Sequence, residues 1–417
     1  MDNLIGITSI SLICLLTLLL ALRWPSVSKI LYVALFVRII LLLVGHYIVA
    51  LPDSTSDAIT FERAAWKLAQ EDFFWILENF NGGDSRYKNA QFNSWLIAIP
   101  YSLFGRSVLM AKSMSLLVGM GSVFMGWLLA KKIWENHVAK KVGWVIALFP
   151  SLVLYSVINM REAYIVFFLL VALYGVISWS QTNNLKSIIL AMTGFYCASL
   201  FHGAMMVGGI AFLGVVVISI SKEFIRSLSN YRLNIKYIII IIPVLIVVAS
   251  FASNKFSIEY LGTFERLINI NYLISKTEAA TRGVAAWPEW TIINSPIEMF
   301  YKAPIRGMYI VFAPFPWDVI KIKHLIGMFD AFLFMYLSFL IFKNIKNIWN
   351  NFSLRIIFII LLSYIFVFGI GVGNFGTGIR HRSKFVVMFI LLAAPLIKKI
   401  VFIKNKKNLS TLKNTEN

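Results

Sequence analysis

Cysteine is nearly absent from this chain. Cys14 and Cys197 are its only two, and both sit inside apolar blocks, so neither a disulfide framework nor a thiolate metal site can be built. Metal-ligand spacings, the phosphate-cradling glycine loop and the dinucleotide fingerprint are missing too, which argues against a nucleotide-driven pump. No internal repeat is visible, and that weakens a transporter assembled from inverted halves. Charge is scarce at 14% of residues, and acids are scarcer, 19 Asp and Glu against 39 Lys and Arg. The first apolar block has no basic leader and ends in Leu-Arg-Trp-Pro without a small-residue cleavage site, so it reads as a retained span.

What is abundant is apolar sequence. Hydrophobic residues make up 59% of the 417, gathered in blocks of about 15 to 22 rather than in amphipathic stripes, the length that crosses a bilayer. The blocks fall at 4–22, 30–50, 107–130, 142–158, 163–180, 187–201, 204–220, 237–252, 325–342, 356–373 and 385–401. The expected fold is therefore all-α: a polytopic integral membrane helical bundle of about eleven transmembrane helices. Residues 1–403 form a single transmembrane domain and 404–417 a basic, disordered cytoplasmic tail.

The formal net charge of +20 would suggest nucleic acid in a soluble chain, but its distribution points elsewhere. With the N-terminus outside, the cytoplasmic segments are 23–29, 131–141, 181–186, 221–236, 343–355 and the C-terminal stretch from 398. They hold 20 Lys and Arg against three acids, Glu135, Glu223 and Glu416, which is the positive-inside bias. Two long loops then face the exterior, 51–106 and 253–324. The first holds seven acids against five bases. Each contains an apolar stretch too short to cross, 92–105 and 307–317, expected as interfacial or re-entrant helices.

Ionisable residues near membrane depth are costly and point to function. Three clusters stand out. Asp53, Asp57 and Glu62 follow the second span, and Asp57, Phe61 and Ala65 share one helical stripe with Ser56 as N-cap. They either hold a carboxylate at the membrane surface or simply cap a helix and solvate a loop. Asn159, Arg161 and Glu162 form a short exterior turn, where the two charges either neutralise each other or bind an anion. Arg380, His381, Arg382 and Lys384 run against the charge bias and ask for an anionic partner, a phosphate or ordinary lipid headgroups. The second loop adds Arg282, Glu289, Arg306 and Asp318 among aromatics. His202 reads as a packed polar residue, and Arg38 as a side chain snorkelling toward the cytoplasm.

The order of these features resembles the GT-C superfamily of membrane glycosyltransferases, which use polyprenyl-linked sugar donors. Its D-x-x-x-Y-x-x-x-A pattern is matched by Asp57, Phe61 and Ala65, with Phe in place of Tyr. WLIAIPYSLFGRSVLMAKSMSLLVGMGSVFMGWLLAKK resembles the juxtamembrane helix, FG-x-S turn and next span, and IALFPSLVLYSVINMREA the later span ending outside in Arg-Glu, so the likeness covers about residues 50 to 180. APFPWD and Arg-His-Arg before a final span resemble O-antigen and surface-polysaccharide polymerases. The chain departs from the family in a span before the acidic loop and in the absence of a large C-terminal soluble domain.

The resemblance implies transfer from an undecaprenyl-pyrophosphate-linked oligosaccharide on the exterior face of a bacterial inner membrane. A repeat-unit polymerase is expected, with a single-sugar transferase using a polyprenyl-phosphate donor as the nearest alternative. Asp57 would be the base, with Asp53 or Glu62 as alternates. Arg380 and Arg382 would hold the leaving group, helped by Arg161 and Arg282, and Arg306 and His381 are expected to bind substrate or phosphate with them. No metal or cofactor is expected. The partners are membrane lipids and other polysaccharide assembly proteins, not nucleic acid. A lipid-linked oligosaccharide flippase is the rival from another class. It would line its spans with charge, whereas only Arg38, Lys112 and Asp330 are so placed.

Overall fold

The structure is a computed structural model that describes residues 2–78, 91–229, 270–281, 283, 285–319 and 322–398. The block expected to cross at 237–252, Arg282 and the tail from 404 lie outside the described residues.

Within them the chain is helical, and no strand occurs beyond an isolated antiparallel bridge between Ala286 and Asn374. Six helices are long and apolar enough to cross a membrane: α1 (Asp2–Arg23), α2 (Ser28–Tyr47), α6 (Val108–Ile133), α9 (Glu162–Thr182), α11 (Met206–Ser229) and α16 (Phe352–Gly371). Between them lie α3 (Asp57–Leu68), α4 (Phe73–Glu78), α5 (Gln91–Phe104), α7 (Asn136–Leu148), α8 (Pro150–Tyr155) and α10 (Leu185–Phe201). The second half adds α12 (Ile270–Ala280), α13 (Pro296–Phe312), α14 (Ile322–Lys343), α15 (Ile345–Asn350), α17 (Phe375–Arg382) and α18 (Val386–Ala393). Local chemistry sets several starts. The side chains of Ser107, Asn184, Ser295, Asn351 and Asn374 accept backbone N–H bonds at the first turns of α6, α10, α13, α16 and α17, where four donors otherwise lack partners.

The bundle has two rims. On one, Ser107 Oγ donates to Asp2 O at 2.9 Å, Tyr47 OH to Asn3 Oδ1 at 3.1 Å, and Asn159 Nδ2 to Ala58 O at 3.3 Å. On the other, Gln181 Nε2 reaches Lys132 O, Trp134 Nε1 reaches Leu391 O, Lys141 Nζ reaches Ile397 O and Asn344 Nδ2 reaches Leu392 O. The segments expected outside thus meet one another, and so do those expected inside. The stretch 92–105 is helical as α5, which packs on α3 through Ser94 Oγ to Phe61 O at 2.9 Å, while only the first part of 307–317 is helical, as the end of α13, which packs along α16.

Three buried arginines hold the helix breaks. Pro150 has no N–H, so the helix from 136 breaks between α7 and α8 and frees the carbonyls four residues back. Arg38 donates to those carbonyls, Ala147 O at 2.7 Å and Ile146 O at 3.5 Å, and to Ser156 Oγ at 2.9 Å. It is therefore a buried capping group and does not snorkel. Arg306 caps the C-terminus of α16 in the same way, donating to Gly369, Ile370 and Val372 carbonyls and to Thr291 O, all lacking helical donors. Arg382 bonds Asp330 Oδ2 at 2.9 Å, Gly327 O at 2.9 Å, and the Val311 and Ala313 carbonyls at the end of α13.

Close helix contacts rely on small residues. A side chain at Gly175 would fall on the backbone of Ala191, and one at Gly194 on that of Ala172, so α9 and α10 touch main chain to main chain. The hairpin sets Arg161 and Tyr164, at the start of α9, against Phe201, at the end of α10.

Candidate functional site

The three charged clusters, up to 323 positions apart in sequence, meet on one rim. Asp57, the first residue of α3, accepts from Arg380 Nη1. Arg380 Nε donates to Glu162 Oε1 at 2.7 Å, and Lys384 Nζ lies 3.7 Å from the same oxygen. Lys384 Nζ also reaches His381 Nδ1 at 2.8 Å. The His381 ring packs on His202 and Phe368, with centroids 5.1 Å away in each case. Arg161 Nη1 donates to Phe201 O at 3.2 Å, and its guanidinium lies over Phe61 at 5.9 Å. The Phe61 ring thus supports an arginine face.

Burial is graded across the chain of charges. The Asp57 side chain is 49% exposed, Arg380 16%, Glu162 1% and Lys384 0%. Asp57 therefore faces outward, while Glu162 anchors Arg380 from behind. Burial works against the Arg380 guanidinium, yet the Glu162 and Asp57 carboxylates outweigh it and hold its pKa above the ordinary value. Burial pushes the Lys384 ammonium well below its ordinary value, and Glu162 offsets only part of that. His202 is held neutral: burial, then the Lys384, His381, Arg161 and Arg380 charges, push it well below the usual imidazole value.

Asp53 sits at the edge of this group. Its backbone adopts φ 61°, a left-handed conformation that Asp tolerates better than most residues, and its Oδ2 accepts from Tyr155 OH at 2.8 Å. Behind Glu162, whose Oε2 has no partner among the described residues, a cavity of about 10 Å³ is lined by Arg38, Tyr155, Ser156 and Ser383. That is room for one water.

Three of the expected site residues are placed elsewhere. Glu62 is buried and bonded bidentately to Arg106, at 2.8 Å to each oxygen, with Tyr101 OH 3.1 Å from Oε1. It staples α3 to the turn before α6 and is not free to act as a base. Arg306 and Arg382 are fully buried and spend their donors on carbonyls and Asp330, so neither reaches the rim. Arg282 is outside the described residues. Of the two readings open for Arg161 and Glu162, a mutual pair or an anion site, neither is seen as such: Arg161 donates to the Phe201 carbonyl and Glu162 accepts from Arg380. Glu162 and Lys384, named in the sequence clusters but given no role there, join the site, and His202 forms its inner wall. Among the described residues no group of three or more His, Cys, Asp or Glu could hold a metal ion.

Compared with protein-family models, curated proteins and solved structures, the chain finds no match.

Proposed function

We propose that this rim is the catalytic centre of a GT-C-like glycosyltransferase with about eleven crossings, its N-terminus and active site on the exterior face of a bacterial inner membrane. The observation that carries the reading is the Asp57–Arg380–Glu162 chain. Three remote segments converge to leave one carboxylate half-exposed, with cations clustered immediately behind it. Such a group is expensive to keep beside a bilayer and gives little stability in return.

The substrate is a glycan linked through pyrophosphate to undecaprenol, and the acceptor is the next lipid-linked unit, which makes the enzyme an O-antigen or surface-polysaccharide polymerase. The acceptor hydroxyl oxygen attacks the anomeric carbon. The bond from that carbon to the phosphate oxygen breaks, the electron pair leaves with the lipid pyrophosphate, and the hydroxyl proton passes to Asp57. Arg380, backed by Glu162 and flanked by Arg161, meets the charge developing on the leaving oxygen. Arriving phosphate competes with Asp57 for Arg380 Nη1. Binding the donor thus releases the carboxylate to act as base.

In cells lacking the protein, Asp57→Asn and Arg380→Ala at normal expression should leave single-unit glycan with no ladder, while wild type restores the ladder. A truncated unit in the deleted strain would favour the single-sugar transferase. Full ladders with both variants would remove this site from the chemistry.

A further inference from the structure

A second polar cavity lies on the other side of α3. Asp57 turns toward Arg380, whereas Ala58, Ile59, Glu62 and Arg63 line a cavity of about 520 Å³ closed by the ends of α1, α2 and α6. Its cations are Arg63, Arg106 and Lys112, against two carboxylates, Asp2 and Glu62. Only Arg106 has a carboxylate partner, Glu62. Lys112 sits about one turn into a spanning helix and donates to Gly45 O at 3.1 Å, leaving two of its three donors available. Arg63 is exposed and has no hydrogen-bond or ion-pair partner among the described residues. Asn159 is buried, lines the same cavity, and keeps Oδ1 without a partner. The lip is apolar and open: Tyr47 is 55%, Ile48 78% and Val49 57% exposed.

We propose that this cavity binds the phosphate headgroup of an anionic exterior-leaflet lipid. Lys112 and Arg63 hold the phosphate oxygens, Asn159 Oδ1 accepts from a headgroup hydroxyl, and the chain leaves past Tyr47 and Ile48 into the bilayer. A lysine in a spanning helix aimed at an aqueous cavity, with donors to spare, asks for an anion. The apolar lip selects one that carries a hydrocarbon tail. The site is separate from Arg380 and does not rest on the transfer chemistry proposed above.

The test uses delipidated full-length protein in neutral detergent, with bound lipid counted by native mass spectrometry across a titration. The probes are phosphatidylglycerol, phosphatidylcholine and inorganic phosphate. Wild type should retain one phosphatidylglycerol in preference to phosphatidylcholine. Lys112→Gln and the surface change Arg63→Gln should each weaken that binding about tenfold, the effect of losing one charge-assisted bond, and Arg380→Gln should leave it unchanged. Equal binding of both lipids, or phosphatidylglycerol binding unaffected by Arg63→Gln in a folded protein, would overturn the site. Inorganic phosphate that matches the lipid's affinity would overturn its assignment to a lipid.

Discussion

Arginines that look alike in sequence do different work here, and the difference is decided by what each guanidinium faces. Arg306 and Arg382 face orphaned carbonyls, and Arg380 faces carboxylates and the rim. Arg382→Ala strands Asp330 in the interior, so unfolding in detergent should become easier by about 3–5 kcal/mol. Adding Asp330→Leu to Arg382→Met should recover much of that loss, because removing both charges also removes the unpaired one. Thermal melts of the single and double variants check this, and a double variant no more stable than Arg382→Met would contradict the pairing. The imidazole of His202 gives a pH signature. Its folded pKa lies below the unfolded value of about 6.5, so acidification below that value protonates the unfolded chain first. Stability should fall from pH 7 to pH 5 by at most about 1.4 kcal/mol per pH unit. His202→Asn should flatten the slope, as melting temperatures across that range would report.

Helix positions were legible in the sequence because apolar runs and caps are local signals. The described apolar blocks all appear as helices, α13 fills part of the second loop, and α5 falls where a non-crossing helix was expected. Partners across the bundle were not legible. Nothing within one turn of Arg306 announces that it closes the end of α16, 63 positions away, and nothing near Arg38 announces the break at Pro150. Once the break is seen the logic can be tested. Arg38→Met should destabilise by about 1–3 kcal/mol through unsatisfied carbonyls. Pro150→Ala in that background should restore part of it by supplying the N–H that Ile146 O lacks. The α9–α10 hairpin is a second element-scale test. Gly175→Val has no space against Ala191 and should part the helices, shifting Glu162 and abolishing activity even where protein still accumulates.

At the scale of the whole molecule, charge bias and contact pattern agree. Among the described residues, the basic segments 131–141 and 343–355 meet the end of the last helix at one rim, and Asp57 of the acidic loop meets Arg380 at the other. The clusters were visible in the sequence as local oddities, but their union was not, because it depends on the packing that brings α3, α9 and α17, and with them residues 57, 162 and 380, together. Single cysteines at Thr55 and Thr377, both exposed, should react with an impermeant maleimide in intact cells once Cys14 and Cys197 are replaced. One at Asn184, exposed on the opposite rim, should react only after permeabilisation. Labelling of Thr55 and Thr377 from opposite sides would separate Asp57 from Arg380 by the membrane.

The most direct measurement is turnover of a defined undecaprenyl-pyrophosphate-linked repeat unit by purified, reconstituted protein, wild type against Asp57→Asn and Arg380→Gln, each first shown by melting to be folded. Loss of a general base lowers the rate about 10²- to 10⁴-fold, so Asp57→Asn should fall within that range while still binding donor. Arg380→Gln should lose turnover as well. Polymer formed at the wild-type rate by both folded variants would contradict a catalytic role for the Asp57–Arg380–Glu162 chain.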